Sequence, residues 1–327
     1  MRYIPYGLVN FKKVRDYNYV YVDKTMYLEK IESPMQNSSL IYLRPRRFGK
    51  SLFTSMMNYY YSIDTANDFE NLFKGLYIYE HPTQNKNNYY VLKFDFSGMD
   101  ITGDNIVEVG KKAFFNNVLT NIDSFIARYK LNIEIKGDTA ADIMRNLLSD
   151  FQKLDLEHKI YVIVDEYDNF TNNILHDDGQ DFLDLVNRNG YVRAFYEVIK
   201  EYSGIGVIDR FFATGVLPLT LDNLTSGFNI ASNISTNPIF NSMIGFTHKE
   251  VKSVIDEVIQ KEKRNEVYNE LEKNYDGYRF SEDNEEKVFN STLVMYYLAQ
   301  YCSFGKAPNN IIDPNMNVSR RKIKKIC

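Results

Sequence analysis

The segment Arg44-Pro45-Arg46-Arg47-Phe48-Gly49-Lys50-Ser51 ends the apolar run Leu40-Ile41-Tyr42-Leu43 and opens the amphipathic stretch Ser51-Leu52-Phe53-Thr54-Ser55-Met56-Met57. It reads as a phosphate-binding loop. The pattern G-x-x-x-x-G-K-[ST] needs a strand before it and a helix after it. Only then do the loop amides and the helix N-terminus face a triphosphate while the lysine reaches its outer phosphates. Both flanks are present here. Arg44 stands at the first glycine position, so the loop enters its turn with a side chain where the pattern has none.

A loop of this kind implies alternating strands and helices, and the chain supplies them. Tyr89-Tyr90-Val91-Leu92-Lys93-Phe94-Asp95-Phe96 has strand composition. Helical periodicity covers 106–129 and 140–154, separated by Gly137-Asp138-Thr139, which suits a turn and an N-cap. Ile160-Tyr161-Val162-Ile163-Val164 is a continuous run rich in β-branched residues, as expected of a parallel strand buried on both faces. A helix over 192–202 leads to the strand Phe211-Phe212-Ala213, tipped by Thr214-Gly215, and a fifth strand is expected around 238–243. The expected fold is α/β: a mostly parallel sheet flanked by helices, as in P-loop NTPases, plus a small C-terminal helical domain. The organisation reads as an N-terminal segment (1–36) packed on the core, a P-loop core (37–245) and a helical appendage (246–327). The appendage opens on the capping-box pattern Thr247-His248-Lys249-Glu250, and Tyr275-Asp276-Gly277-Tyr278-Arg279-Phe280 is expected to form a turn between its helices.

The chemistry is expected where the strands end. Asp165-Glu166 follows the most strand-like run. An acidic residue there helps hold Mg²⁺ together with the loop hydroxyl, which assigns Ser51 and Asp165 to the metal. Glu166 is then the general base for water, and Lys50 binds the outer phosphates. Thr214 is expected to bond the attacking water or the γ-phosphate, a simple strand-end turn being the alternative. Arg46, Arg47, Phe48, Gly49, Lys50, Ser51 and Leu52 form the expected nucleotide-binding set, with surface arginines or structural ion pairs an open reading of Arg46 and Arg47. Arg210 and Arg279 read as structural, with a transition-state arginine the alternative. Asp23 and Lys24 read as helix-starting residues, with capping the favoured role.

Composition narrows the function classes. A formal net charge of −4 argues against a generally basic nucleic-acid binder. Cys302 and Cys327 cannot build a disulfide framework, and His81, His158, His176 and His248 show no ligand spacing. No apolar stretch approaches the roughly 20 residues of a membrane span, and the N-terminus lacks signal-peptide character. The expected location is the cytoplasm or nucleus. The basic tail 319–327 reads as a solvated helix end or the stub of a longer segment.

Several collinear motifs carry a resemblance over nearly the whole chain: Ile4-Pro5-Tyr6-Gly7, Tyr21-Val22-Asp23-Lys24-Thr25, the loop itself, Thr214-Gly215-Val216, Ser226-Gly227-Phe228-Asn229-Ile230, Gly245-Phe246-Thr247 and the segment 275–280. Together they resemble the AAA-ATPase-like family, in which Arg-Pro-Arg-Arg-Phe-Gly-Lys-Ser is the usual loop. The resemblance implies ATP as the nucleotide and a sensor strand between the loop strand and the acidic strand. It gives an activity class and no pathway; an unidentified protein or nucleic-acid partner is expected, with self-assembly as an option. Family members frequently continue into a restriction-endonuclease-like domain; this sequence stops soon after Asn317, as a shortened member or a fragment would. Two activities fit: Mg²⁺-dependent ATP hydrolysis, or an ATP-binding switch without turnover.

Overall fold

A computed structural model describes residues 2–99, 106–169, 190–216 and 230–313. These fall into two compact units. One is drawn from Thr25–Arg46 and Thr54–Ser235, the other from Met1–Lys24, Arg47–Phe53 and Thr236–Cys327. The segment 44–51 is thus divided, residues 44–46 belonging to the first unit and 47–51 to the second. Among the described residues no helix is long and apolar enough to cross a membrane.

The first unit is built on a parallel sheet of β1 (Ser39–Leu43), β2 (Tyr89–Asp95), β3 (Lys159–Asp165), β4 (Ile208–Gly215) and β5 (Ser232–Asn233), in the order β2-β3-β4-β1-β5. β4 lies between β1, which leads into residues 44–51, and β3, which ends on Asp165, the order that the family resemblance implies. Parallel strands need crossover connections, and the helices Ile106–Tyr129, Ala140–Lys153 and Tyr191–Gly204 supply them and cover the sheet. Their apolar faces, through Phe114, Leu148, Phe195 and Ile199 among others, meet Leu92, Phe94, Val162 and Val164 in one core cluster. β3 is buried from Ile160 to Asp165, the burial its unbroken apolar run anticipates. Thr139 caps the second of these helices by accepting from the amide of Asp142.

The fifth strand is not at 238–243. Pro238–Phe240 is a 3₁₀ turn, started by Pro238 at its first position and capped by the Asn237 side chain on the Ile239 amide. Proline has no N–H for a ladder and its fixed φ favours a helical start. The fifth strand is instead the exposed pair Ser232–Asn233, beside Leu40 and Ile41.

The second unit contains the helices His248–Val258, Arg264–Tyr275 and Ser291–Phe304, packed through Val251, Val254, Ile255, Leu271, Val294 and Leu298. The capping box forms as expected: Thr247 accepts from the Glu250 amide, and Glu250 reaches back to the Thr247 amide. This unit is not purely helical, because β6 (Phe246–Thr247) pairs antiparallel with β7 (Val288–Phe289). Tyr278 also forms an isolated antiparallel bridge to Val288, so the 275–280 segment is tied to β7 and is not only a turn between helices. Lys24 starts no helix. Its ammonium lies buried, donating to Glu250 at 2.7 Å and to the Ser242 carbonyl at 2.8 Å, and burial lowers its pKa against the pull of Glu250. The helix begins at Met26, and the Thr25 hydroxyl accepts from the Ile78 amide instead of capping it.

Candidate functional site

In a parallel sheet all strands finish at one edge, and here that edge gathers polar residues from three strands. β1 ends at Leu43, in register with Gly215 of β4, while Asp165 of β3 is in register with Asp95 of β2. Asp165 and Thr214 are both fully buried. Each Asp165 oxygen accepts a hydroxyl: Oδ1 from Thr214 at 2.6 Å and Oδ2 from Thr54 at 3.3 Å. Burying a carboxylate is costly unless hydrogen bonds replace its water, and these two bonds do part of that. The Thr214 hydroxyl, expected to bond water or phosphate, donates to Asp165 here.

Lys93 adds a cation that sequence reasoning passed over. It precedes Asp95 by two residues on β2, and alternation along a strand puts both on one face. Burial pushes its ammonium below the usual lysine range, while Asp165 and Asp95 pull the other way. Thr54 was missed too, because a threonine inside an amphipathic helix carries no local sign of a distant partner.

The turn after β3 is tied to the tip of β4. The amide of Tyr167 donates to the Thr214 carbonyl at 2.9 Å, and the Val216 amide donates to Asp168 Oδ2 at 3.0 Å. Directly before these ties Glu166 adopts a left-handed conformation, φ +53°, and is half-buried. Non-glycine residues seldom hold such an angle outside a constrained setting. Gly215 makes the closeness of the two turns possible. A Cβ there would lie 2.3 Å from a Tyr167 ring carbon and 2.6 Å from Asp168 Oδ1. Gly215→Ala is therefore expected to destabilise the fold by about 1–3 kcal/mol through overpacking, seen as a lower urea midpoint with an unchanged slope.

Arg44 explains itself once β1 is in place. Its guanidinium is buried, stacked 4.2 Å from the Tyr42 ring centroid, with Nη1 donating to the carbonyls of Leu43 and Ser235 at 2.8 Å each. The side chain that departs from the glycine pattern thus brackets the end of β1 to the chain leaving β5. Burial lowers its pKa. Arg46 is exposed.

The remainder of the loop belongs to the second unit. Arg47 (φ +65°) and Gly49 (φ +97°) are both left-handed, giving the sharp reversals a phosphate cradle needs. Arg47 donates to Asp313 at 2.9 Å, and this fully buried carboxylate also accepts from Tyr6 at 2.7 Å. An ion pair is thus one role of Arg47, and Tyr6 of the Ile4–Gly7 motif serves it. Phe48 is fully buried, edge-on to Tyr278 at 4.8 Å and Phe280 at 5.5 Å, so its ring is an anchor and only its backbone remains for a ligand. The helix Lys50–Tyr61 starts at once, and the first amides of a helix have no partner within it. Lys50 is buried; Ser51 and Leu52 are half-buried. Arg210 sits near the start of β4, opposite Tyr161, about four residues or ~13 Å of strand from Thr214, and Arg279 is exposed. Ser226–Asn229 and the basic tail lie outside the described residues. Among the described residues no three His, Cys, Asp or Glu side chains form a metal site by themselves.

Comparison with known proteins gives three findings. Residues 5–225 match the model of a family described as predicted AAA-ATPases. The uncharacterized protein in the vnfD 5′ region of Azotobacter chroococcum mcd 1 is 30% identical over 254 residues, covering 77% of this chain and 44% of the relative. The chain therefore spans less than half the length of that curated relative. Among solved structures, Cdc6p from Pyrobaculum aerophilum is 12% identical with a TM-score of 0.41, over 85% of this chain and 59% of that one. The Aeropyrum pernix ORC2 protein in ADPNP–ADP complexes is 14% identical with a TM-score of 0.42, over 89% and 66%.

Proposed function

Because the chain belongs to the AAA-ATPase-like family, a family of predicted nucleotide-binding ATPases, we propose that it is a magnesium-dependent ATPase. Lys50 and the amides of residues 46–52 bind the phosphates, with Arg46 and Arg47 as supporting cations. Ser51 and Asp165 hold the magnesium ion, and Glu166 takes the proton of the attacking water. When bound, the metal neutralises charge on the phosphates. Magnesium needs only one or two protein carboxylates when phosphates and waters complete its shell, so the oxygen donors of Ser51 and Asp165 suit it without a larger acidic cluster.

The observation that carries this reading is the tip of β3. Asp165 is fully buried yet carboxylate-bearing, both its oxygens accept hydroxyls, and the next residue is the left-handed Glu166. A carboxylate placed only to cap a helix would sit at the surface, where it costs nothing to hydrate. The strand order supports the same reading, since it sets Thr214 of β4 beside Asp165.

The test is ATP binding by Lys50→Ala. A charge-assisted hydrogen bond contributes about 1.5–3 kcal/mol, so affinity is expected to fall by about 10- to 100-fold. Unchanged affinity, measured by calorimetric titration of the folded variant, would show that the loop does not bind the phosphates.

A further inference from the structure

We propose that Thr54 and Thr214 are positioning residues for the metal, whose hydroxyls hold the two oxygens of Asp165 in one orientation and leave their other lone pairs to a divalent cation. This rests on the ATPase reading and deepens it. A carboxylate offers about four lone-pair sites. One hydroxyl on each oxygen blocks rotation about the terminal torsion while taking only half of that capacity. The two donors come from different elements, Thr54 from the Lys50–Tyr61 helix and Thr214 from the tip of β4. Both residues are fully buried, so water does not compete for either bond.

Thr54 also has a place on its helix that fits the role. It follows Ser51 by three residues, and residues three apart share a helix face. The face that carries the loop hydroxyl therefore also carries the hydroxyl that steadies the carboxylate. Groups that orient a metal ligand are worth about 10- to 100-fold in metal affinity. The shorter bond, from Thr214, belongs at the upper end of that range and the longer bond, from Thr54, at the lower.

The experiment compares ATP affinity in excess magnesium with ATP affinity in EDTA, using the full chain and fluorescence anisotropy of a labelled ATP. Wild type is expected to bind more tightly with the metal. Thr54→Val keeps the shape and removes the donor. Its EDTA affinity is expected to stay at the wild-type value while the magnesium-to-EDTA ratio falls about tenfold. Thr54→Ser keeps the hydroxyl and is expected to restore the ratio. Thr214→Val is expected to lower the ratio further, and it serves as the second variant should Thr54→Val fail to fold.

A role confined to packing predicts something else: both affinities fall together, and serine fails as valine does. That result, or a wild-type ratio retained in both valine variants, overturns the proposal. Wild-type protein that binds ATP equally with and without magnesium overturns the metal reading itself, before any variant is made.

Discussion

Glu166→Gln is expected to slow single-turnover ATP hydrolysis by about 10²–10⁴-fold, the usual contribution of a general base, while ATP still binds. Glutamine keeps the size of the side chain and removes its capacity to take a proton. The backbone argues for the same residue. Successive side chains of a strand leave on opposite faces, and the left-handed angle at Glu166 breaks that alternation directly after Asp165. Such a conformation costs of order 1–3 kcal/mol and persists where surrounding bonds enforce it. Here the Glu166 carbonyl accepts from the Asn169 amide at 3.0 Å, the Tyr167 amide is held by Thr214, and Asn169 is anchored to the Phe96 carbonyl at 2.8 Å. Glu166→Gly is the companion experiment. Glycine adopts the left-handed region without penalty, so this variant should lose hydrolysis as fully as glutamine does with no loss of thermal stability. Equal and measurable rates in wild type and Glu166→Gln would place the base elsewhere. Matched zero rates with binding intact would mark a nucleotide-gated switch.

What could be read from the residues beforehand follows a physical division. Elements whose signal is local were legible: the Ile160–Val164 run became the buried strand β3, and the periodicity over 106–129 has the bounds of the helix Ile106–Tyr129. The Thr247 capping box needs only four adjacent residues and was equally plain. Elements defined by their partner were not. Ser232–Asn233 is a strand because Leu40 and Ile41 offer it a ladder, and two exposed polar residues carry no pattern of their own. β6 and β7 are two residues each and exist only as a pair, Phe246 with Phe289 and Thr247 with Val288, about 40 positions apart. The same holds at the candidate site. Asp165 announced itself by ending a strand, whereas Thr54 gains its role from a carboxylate 111 residues away. Arg44 departs from the glycine pattern as the family's usual loop does, but what its side chain does depends on Tyr42 and Ser235, which the motif does not contain.

Phe48→Ala is expected to destabilise the protein by about 3–5 kcal/mol, the cost of emptying a buried phenylalanine site that cannot collapse. Geometry opposes collapse. Two rings, Tyr278 and Phe280, stand edge-on to Phe48 and stack on each other at 6.1 Å, and both are fixed by backbone bonds, Tyr278 through its bridge to Val288 and Phe280 through its amide to Asn241. Gly245 closes another side: it is left-handed at φ +89°, and a Cβ there would meet the Phe289 carbonyl at 2.9 Å and the Phe48 ring at 3.2 Å. Gly245 and the 275–280 segment therefore share one task, enclosing the Phe48 side chain of the proposed phosphate loop. Because Arg47 and Gly49 flank Phe48 with their left-handed turns, loss of the anchor should loosen the cradle as well as the fold. ATP at 100 times its dissociation constant stabilises a binding-competent protein by about 2.7 kcal/mol. Wild type should show that gain in urea unfolding, and Phe48→Ala should lose most of it at the same ATP concentration. Phe48→Leu, which keeps most of the volume, should retain it. A Phe48→Ala protein that is weakened but still gains the full increment would separate the anchor from the ligand, leaving the ring with a purely structural role.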